Sequence, residues 1–197
     1  MKKLLVMFLI LGGVGLWAET TGVIGRPEAI EDLTDNAGGT ATKDASTYFT
    51  SSSAASAFDN GDPSDDKCRV LTGKSHCGIA YTFKEKQYVG AYGIQYQDGD
   101  YAQVGRAPKS WKLYGSNDYD PATGDCSQGT WKELDERTNE TEWEKGQYRY
   151  YTIPNKEGFT SYKIVMTANN GHGSYILFAD MEYVDTNSRY LQVEATP

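Results

Sequence analysis

The chain has 197 residues, of which 39% are hydrophobic and 13% aromatic, and its net charge is −8. An acidic chain is repelled by nucleic acid and by anionic lipid, so this composition argues against both as general partners. The length suits one domain with a core of its own.

The first 18 residues have the layout of a secretory signal peptide. Lys2 and Lys3 give a positive start, an apolar run follows at Leu4–Leu11, and small residues lead to Ala18. The apolar run is too short to span a membrane. We therefore expect residues 1–18 to be removed and the protein to be secreted, or held in the periplasm or at the cell surface. Their removal takes away two basic residues and no acidic one, so the mature chain is more acidic still.

Short strands separated by turn residues dominate the rest of the chain. Residues 19–56 are rich in Thr, Ser, Ala, Gly and Asp and predict irregular structure with one short strand near Gly39–Thr42. Later strands are predicted at Gly78–Phe83, Val89–Gln95, Ser110–Gly115, Trp131–Asp135, Gln147–Ile153, Ser161–Met166 and Tyr175–Tyr183. Many short strands of this kind predict an all-β fold, an antiparallel β-sandwich or jelly roll over residues 19–184. Residues 185–197 are polar and predict a loose C-terminal tail.

Three cysteines follow the leader, at Cys68, Cys77 and Cys126. A secreted protein meets an oxidising environment, so a disulfide is expected. Cys68 and Cys77 flank a short loop and form the preferred pair, which leaves Cys126 over; a pairing of Cys126 with either of them stays open. The spacings do not form a zinc site, because no second cysteine pair or clustered histidine accompanies them.

Three segments occur in an informative order along the chain: AFDNGD at Ala57–Asp62, RAPKSWKLYGSND at Arg106–Asp118, and FADMEY at Phe178–Tyr183. In the second segment, alternation places Trp111 and Leu113 on one face of a strand before a Gly-Ser-Asn-Asp turn. Together these segments resemble a discoidin domain, also called the coagulation factor 5/8 type C domain. That family has a galactose-binding-like fold and is similar to the family 32 carbohydrate-binding modules. The resemblance implies a β-sandwich jelly roll that binds ligands and does no chemistry.

The chain departs from the family pattern at three places. Asn60 stands where family members often have Gly, although Asn tolerates the same left-handed backbone. No Trp follows in Asp65–Leu71, and the acidic residue usual at Ala179 or Asp180 is displaced or differently aligned.

The resemblance also implies a structural calcium site that pins the ends of the domain. The predicted ligands are Asp59, Asp62 and Ser64 on the loop after Phe58, and Glu182 on the last strand. Calcium takes roughly six to eight oxygen ligands, which such a loop supplies from carboxylates and carbonyls. The alternative is an ordinary turn rich in Asp and Asn, with Glu182 on an exposed strand face.

Loops expected at one end of the sandwich carry the candidate ligand contacts. A sugar ring stacks its apolar face on an aromatic side chain, and its hydroxyls need planar donors and acceptors. The candidates are His76, Asp98, Tyr101, Arg106, Asn169, Asn170, His172 and Tyr175. Each has a structural alternative, such as an ion pair for Arg106 or a simple turn for the Asn-Asn-Gly-His-Gly run.

Function follows from what these residues can and cannot do. The chain has two histidines and no nucleophile motif beside either, so we expect no enzyme. The acidic run at Glu133–Glu144 is typical of a solvated hairpin rather than of a catalytic carboxylate pair. Acidic or neutral loop tips such as Gln97–Val104 argue against membrane insertion.

We therefore expect a secreted, non-catalytic carbohydrate-binding module whose partner is a glycan or a surface glycoprotein. The alternative is a protein-binding adhesion or matrix module of the same fold.

Overall fold

A computed structural model describes residues 32–35, 38–47, 53–61, 68–71, 77–99, 102–173 and 175–185, without the side chains of 68–71 and 77. The predicted signal peptide and the tail beyond residue 185 lie outside this description. The described residues form ten strands. These are β1 (Thr40–Lys43), β2 (Cys68–Leu71), β3 (Cys77–Gln87), β4 (Ala91–Gln95), β5 (Pro108–Ser116), β6 (Lys132–Arg137), β7 (Tyr148–Thr152), β8 (Phe159–Asn169), β9 (Tyr175–Phe178) and β10 (Asp180–Val184).

The strands build an antiparallel β-sandwich. One sheet has five strands in the order β1-β3-β8-β5-β6, and the other has three in the order β10-β4-β7. A separate pair joins β2 to β9. All of these strand pairs are antiparallel. The predicted all-β sandwich is therefore confirmed.

The apolar core lies between the two large sheets. The alternation predicted for β5 is confirmed, since Trp111 and Leu113 are 1% and 0% exposed. Tyr162 and Ile164 of β8 and Tyr92 of β4 are also fully buried in this core. Aromatic side chains at alternate positions of facing strands thus close the space between the sheets.

The predicted strands are present, with two differences from expectation. The segment Cys68–Leu71, expected as a loop, is strand β2 and pairs with β9. The single strand expected over Tyr175–Tyr183 is wrong, because Phe178 pairs with Cys68 whereas Asp180 pairs with Gln95. The chain therefore leaves one sheet and enters another at Ala179, whose backbone N–H donates to Gln95.

Strand register places several loops at one end of the sandwich. Leu71 at the end of β2 pairs with Tyr175 at the start of β9. Pro108 at the start of β5 pairs with Asn169 at the end of β8, and Gln95 at the end of β4 pairs with the first residue of β7. The segments that follow β2, β4, β6 and β8 consequently leave the sheets at the same end, which we call the loop end.

The two ends of the described chain meet at the opposite end of the sandwich. Asp32 forms an isolated antiparallel bridge with Val184, and the N–H of Leu33 donates to the carbonyl of Tyr183 at 2.8 Å. Val184 also pairs with Ala91, the first residue of β4. Within the described segments, no helix has the length and apolar character needed to cross a membrane.

Candidate ligand-binding site

Two loops at the loop end run side by side and bond through their backbones. The N–H of Asn170 donates to the carbonyl of Ala107 at 3.1 Å, and that of His172 donates to Gly105 at 2.9 Å. A Cβ at Gly105 would lie 3.5 Å from the Cβ of His172. The 102–107 and 170–173 loops therefore form one surface.

Arg106, His172 and Tyr175 come together on this surface. The guanidinium of Arg106 lies 5.4 Å from the centre of the Tyr175 ring, within cation–π range. The His172 imidazole stacks with the same ring at 5.8 Å and an interplanar angle of 25°. Arg106 is 9% exposed, whereas His172 and Tyr175 are partly exposed. Three of the predicted contacts thus form a cluster of one cation and two flat rings.

Asn169 shapes the loop that carries His172. Its amide nitrogen donates to the carbonyls of His172 and Tyr175 at 2.7 and 2.6 Å. Its amide oxygen accepts the N–H of Gly171 at 3.0 Å. Gly171 has a φ of +104°, which an L side chain rarely adopts, so Gly allows this reversal.

Asn170 bonds to other parts of the chain. Its amide nitrogen donates to the carbonyls of Ala107, Pro108 and Glu140 at 3.1, 3.2 and 3.0 Å. An amide group has two hydrogens, and in both asparagines they point at backbone carbonyls. Direct contact of Asn169 or Asn170 with a ligand stays a prediction.

A third segment, residues 138–147, lies against these two loops. The acidic run is solvated as expected at Glu133, Glu136, Glu142 and Glu144, which are exposed. The expected hairpin is wrong, because β6 and β7 belong to different sheets. Trp143 is 3% exposed, and its indole nitrogen donates to Pro108 at 2.8 Å. Arg149 donates to the carbonyls of Thr141 and Glu142 at 2.8 and 2.6 Å and lies over the Trp143 ring. The segment is therefore a fixed crossover between the sheets.

The remaining predicted contacts are placed only in part. Asp98 is exposed, and a Cβ at Gly146 would lie 3.5 Å from its side chain. Asp98 thus lies beside the turn that leads into β7. His76 and Tyr101 lie outside the described residues and stay predictions.

The outer face of the three-stranded sheet carries buried acidic groups. Asp180 and Glu182 of β10 are each 1% exposed. The hydroxyls of Tyr148 and Tyr150 donate to Asp180 and Glu182 at 2.7 and 2.6 Å. Burial raises the pKa of Asp180 to about 7, and the charge of Glu182 adds to the effect. The alternative of an exposed Glu182 is therefore wrong.

Sequence reasoning missed Asp180, Tyr148 and Tyr150 as members of this acidic face. Alternation in the run Tyr148-Arg149-Tyr150-Tyr151 was a usable signal, since it places Tyr148 and Tyr150 on the same face of β7.

The turn that begins the predicted calcium loop is tied to the last strand. Asp59 is exposed and accepts the N–H of Gly61 at 3.2 Å. Asn60 adopts the expected left-handed backbone, with φ of +49°. Its amide nitrogen lies 3.4 Å from Asp32, whose carboxylate accepts the N–H of Tyr183 at 3.3 Å. Burial raises the pKa of Asp32.

The calcium and disulfide predictions rest partly on residues outside the description. Asp62 and Ser64 are among these, as are the side chains of Cys68 and Cys77. Among the residues that the structure does describe, no three Asp, Glu, His or Cys side chains form a group that could hold a metal ion. Cys126 has a free, fully buried thiol, and burial raises its pKa to about 12.

Solved structures share this fold, whereas no protein-family model and no curated protein matches the chain. The family 32 carbohydrate-binding module of NanJ from C. perfringens, in complex with galactose, has a TM-score of 0.52 and 14% identity over 75% of this chain and 93% of that one. A Clostridium perfringens module in complex with GalNAc-β-1,3-galactose has a TM-score of 0.52 and 16% identity, over 73% and 93%. Chitosan-binding module 1 of a Paenibacillus sp. IK-5 chitosanase/glucanase has a TM-score of 0.53 and 16% identity, over 79% and 98%.

These likenesses define the fold of the chain. It is the galactose-binding-like β-sandwich that family 32 modules share with discoidin domains, as the three sequence segments implied. Identities this low carry no information on which ligand is bound.

Proposed function

We propose that this chain is a non-catalytic carbohydrate-binding module that recognises extracellular or cell-surface glycans at its loop end. The observation that carries the proposal is the cluster of Arg106, His172 and Tyr175. Proteins of the same fold support it, since two were solved with galactose or GalNAc-β-1,3-galactose and a third is named for chitosan.

Each group of the cluster suits a different part of a sugar. The planar guanidinium of Arg106 donates paired hydrogen bonds to adjacent hydroxyls. The imidazole nitrogens of His172 are placed to bond to a hydroxyl. The Tyr175 and His172 rings offer flat surfaces for the apolar face of a sugar ring. These contacts bind and orient a sugar without breaking a bond in it.

A glycan array with the purified mature protein tests this proposal. Binding to a defined group of glycans is expected, followed by titration calorimetry with the best free sugar. A matched control is Tyr88→Ala, because Tyr88 is 53% exposed and follows β3 at the other end of the sandwich. Absence of any glycan binding by folded protein would overturn the proposal and favour the protein-binding alternative.

We also propose that the protein is exported, on the pattern of Lys2, Lys3 and Leu4–Leu11. The expected mature chain begins at Glu19. Intact-mass measurement on protein recovered from the secreting host checks this, and a retained Met1 in exported protein would contradict it.

Calcium is a further part of the proposal. Asp59 and Glu182 are the described residues that would hold the ion, together with Asp62 and Ser64 of the predicted set. Support comes from the burial of Glu182 beside Asp180, because a cation offsets the repulsion between close carboxylates. The ion would supply positive charge there and tie the Asp59 turn to the last strand.

A further inference from the structure

One side chain connects all three segments at the loop end. The amide nitrogen of Asn170 reaches the carbonyl of Ala107 in one segment, that of Pro108 at the start of β5, and that of Glu140 in another segment. Its own backbone N–H also donates to Ala107. The side chain therefore lies where the 102–107, 138–147 and 170–173 segments meet.

The chemistry of this junction requires an amide. Three carbonyl oxygens converge on one nitrogen, and two hydrogens are shared among them. Pro108 accepts from Trp143 as well, at 2.8 Å, so the same oxygen bonds to two of the segments. Without this donor the Glu140 carbonyl loses its bond to Asn170, whereas Ala107 keeps the Asn170 backbone N–H and Pro108 keeps Trp143. The loss of that partner weakens the hold of the 138–147 segment on the 170–173 segment.

The backbone next to Asn170 carries the proposed ligand contacts. Arg106 directly precedes Ala107, and His172 lies two residues after Asn170. The bond from His172 to Gly105 holds these two side chains on adjoining strips of backbone. The Asn170 side chain is therefore anchored on the stretches of backbone that carry Arg106 and His172.

We propose that Asn170 is a positioning residue: by joining the three segments it fixes the spacing of Arg106 and His172 before a ligand arrives. This rests on the proposed function of the loop end and reassigns Asn170 from a ligand contact to a support. A preorganised site binds more tightly because the ordering of its loops is already complete in the free protein.

The first experiment measures the junction itself. Amide hydrogen exchange is followed by NMR in the wild type and in Asn170→Ala. Faster exchange is expected at His172 and Glu140, whose N–H groups bond across segments, with no change at Ile164 in the core. Wild-type rates at His172 and Glu140 in folded Asn170→Ala would show that Asn170 does not join the segments, and the inference would be wrong.

The second experiment measures affinity with galactose, GalNAc-β-1,3-galactose and chitosan oligosaccharides as probes. Asn170→Ala is expected to weaken the tightest of these by about tenfold, the change that the loss of about one hydrogen bond corresponds to. The matched control is Asn155→Ala, because the Asn155 amide also donates to two carbonyls, of Val89 and Glu157, at the opposite end. Equal affinity losses in both variants, or no loss in Asn170→Ala, would overturn the inference.

A third variant separates positioning from bulk stability. Asn170→Asp keeps the shape but places a carboxylate against three carbonyls, so at neutral pH it should bind more weakly than Asn170→Ala. Contact with acceptors raises the pKa of the new carboxyl, and once protonated it donates again. Its affinity relative to wild type at the same pH should therefore recover as the pH falls. A ratio that does not change with pH would contradict the inference.

Two outcomes need separate readouts. If Asn170→Ala does not fold, the wild type still decides, because the side-chain NH₂ of Asn170 should exchange more slowly than that of Asn117, whose bond is exposed. Equal rates would overturn the inference. If the wild type binds none of the three probes and no glycan on the array, the proposed function fails, while the exchange rates still decide whether Asn170 joins the segments.

Discussion

The indole nitrogen of Trp111 donates to the hydroxyl of Tyr92 at 2.7 Å, and this bond joins the two sheets through the core. Trp111 lies on β5 and Tyr92 on β4. The Tyr92 hydroxyl donates in turn to Asp135 at 2.7 Å, and Asp135 accepts from Arg137 at 2.7 Å. Each polar group in this buried chain has a partner, which keeps the cost of burying it low.

Replacing Tyr92 tests how much this link contributes. Tyr92→Phe keeps the ring but leaves the Trp111 indole and the Asp135 carboxylate each without one partner. We expect a loss of about 1–3 kcal/mol in the free energy of unfolding. Urea denaturation checks this against Tyr88→Phe, which changes an exposed ring and should alter stability little. Equal stabilities of the two variants would show that the link contributes nothing.

Arg106 should be needed for glycan binding as a guanidinium and not only as a charge. Arg106→Lys keeps the charge but loses the planar set of donors and the fit over Tyr175. We expect about a tenfold or larger loss of affinity in both Arg106→Lys and Arg106→Ala, measured by calorimetry. Wild-type affinity in the lysine variant would mean that charge alone matters.

Asp180 predicts how stability changes with pH. Its pKa is about 7 when folded and ordinarily 3.8, because burial disfavours the charged form. One of its oxygens is buried with no hydrogen-bond partner among the described residues. Between about pH 4 and 7 the folded state therefore binds more protons than the unfolded state, so stability falls as the pH rises through this window.

The Asp180→Asn variant isolates that effect. The free energy of unfolding of this variant should not show the part of the decline that Asp180 causes. Relative to the wild type, the variant should therefore become more stable as the pH rises from about 4 to 8, by about 1.4 kcal/mol for each unit by which folding raises the pKa of Asp180. The measurement is the urea midpoint of both proteins at each pH. A chelator is present because a cation near Glu182 would lower the repulsion that Asp180 meets. A constant difference between wild type and variant across the window would contradict the prediction.

Gly93 should be intolerant of a side chain. A Cβ there would lie 2.7 Å from the ring of Tyr150, the residue that donates to Glu182. We expect Gly93→Ala to cost about 1–3 kcal/mol through overpacking. Gly173→Ala is the control, because nothing lies within 4 Å of a Cβ at that position. Similar melting temperatures for the two variants would show that Tyr150 moves aside freely.

Calcium should stabilise the protein if Asp59 and Glu182 help to hold it. A ligand that binds only the folded state at about 100 times its Kd adds about 2.7 kcal/mol. We expect the melting temperature to rise on adding calcium to chelator-treated protein, and the rise to be lost in Glu182→Gln. Asp118→Asn, an exposed carboxylate on another turn, should keep the rise. No rise in the wild type would end the calcium proposal.

Much of the sandwich could be predicted because the signal is local. Alternation at Trp111 and Leu113 depends only on neighbouring residues, and it located β5 correctly. The break at Ala179 was missed although the sequence contains it. Before the break the core-facing residues are Ile176 and Phe178, at even positions. After it they are Met181 and Tyr183, at odd positions, so the alternation of core-facing side chains shifts by one residue at Ala179.

The candidate site was predicted less completely for a physical reason. Loop polarity showed that Arg106, His172 and Tyr175 could meet a ligand, but it could not show which polar atoms face backbone carbonyls. Asn169 and Asn170 are adjacent in sequence, yet one bonds within its own loop and the other across three segments. That difference depends on tertiary structure, which no local pattern encodes.

The bridge between Asp32 and Val184 determines how this domain can be joined to others. Both ends of the described chain lie at one pole, and the loops proposed to bind a glycan lie at the other. A domain joined next to Asp32 or Asp185 would start far from the proposed glycan site and would not crowd it. Tandem copies of this domain could thus all present their loop ends to the same surface. Linking several weak sites in this way would raise the overall avidity without any new contact.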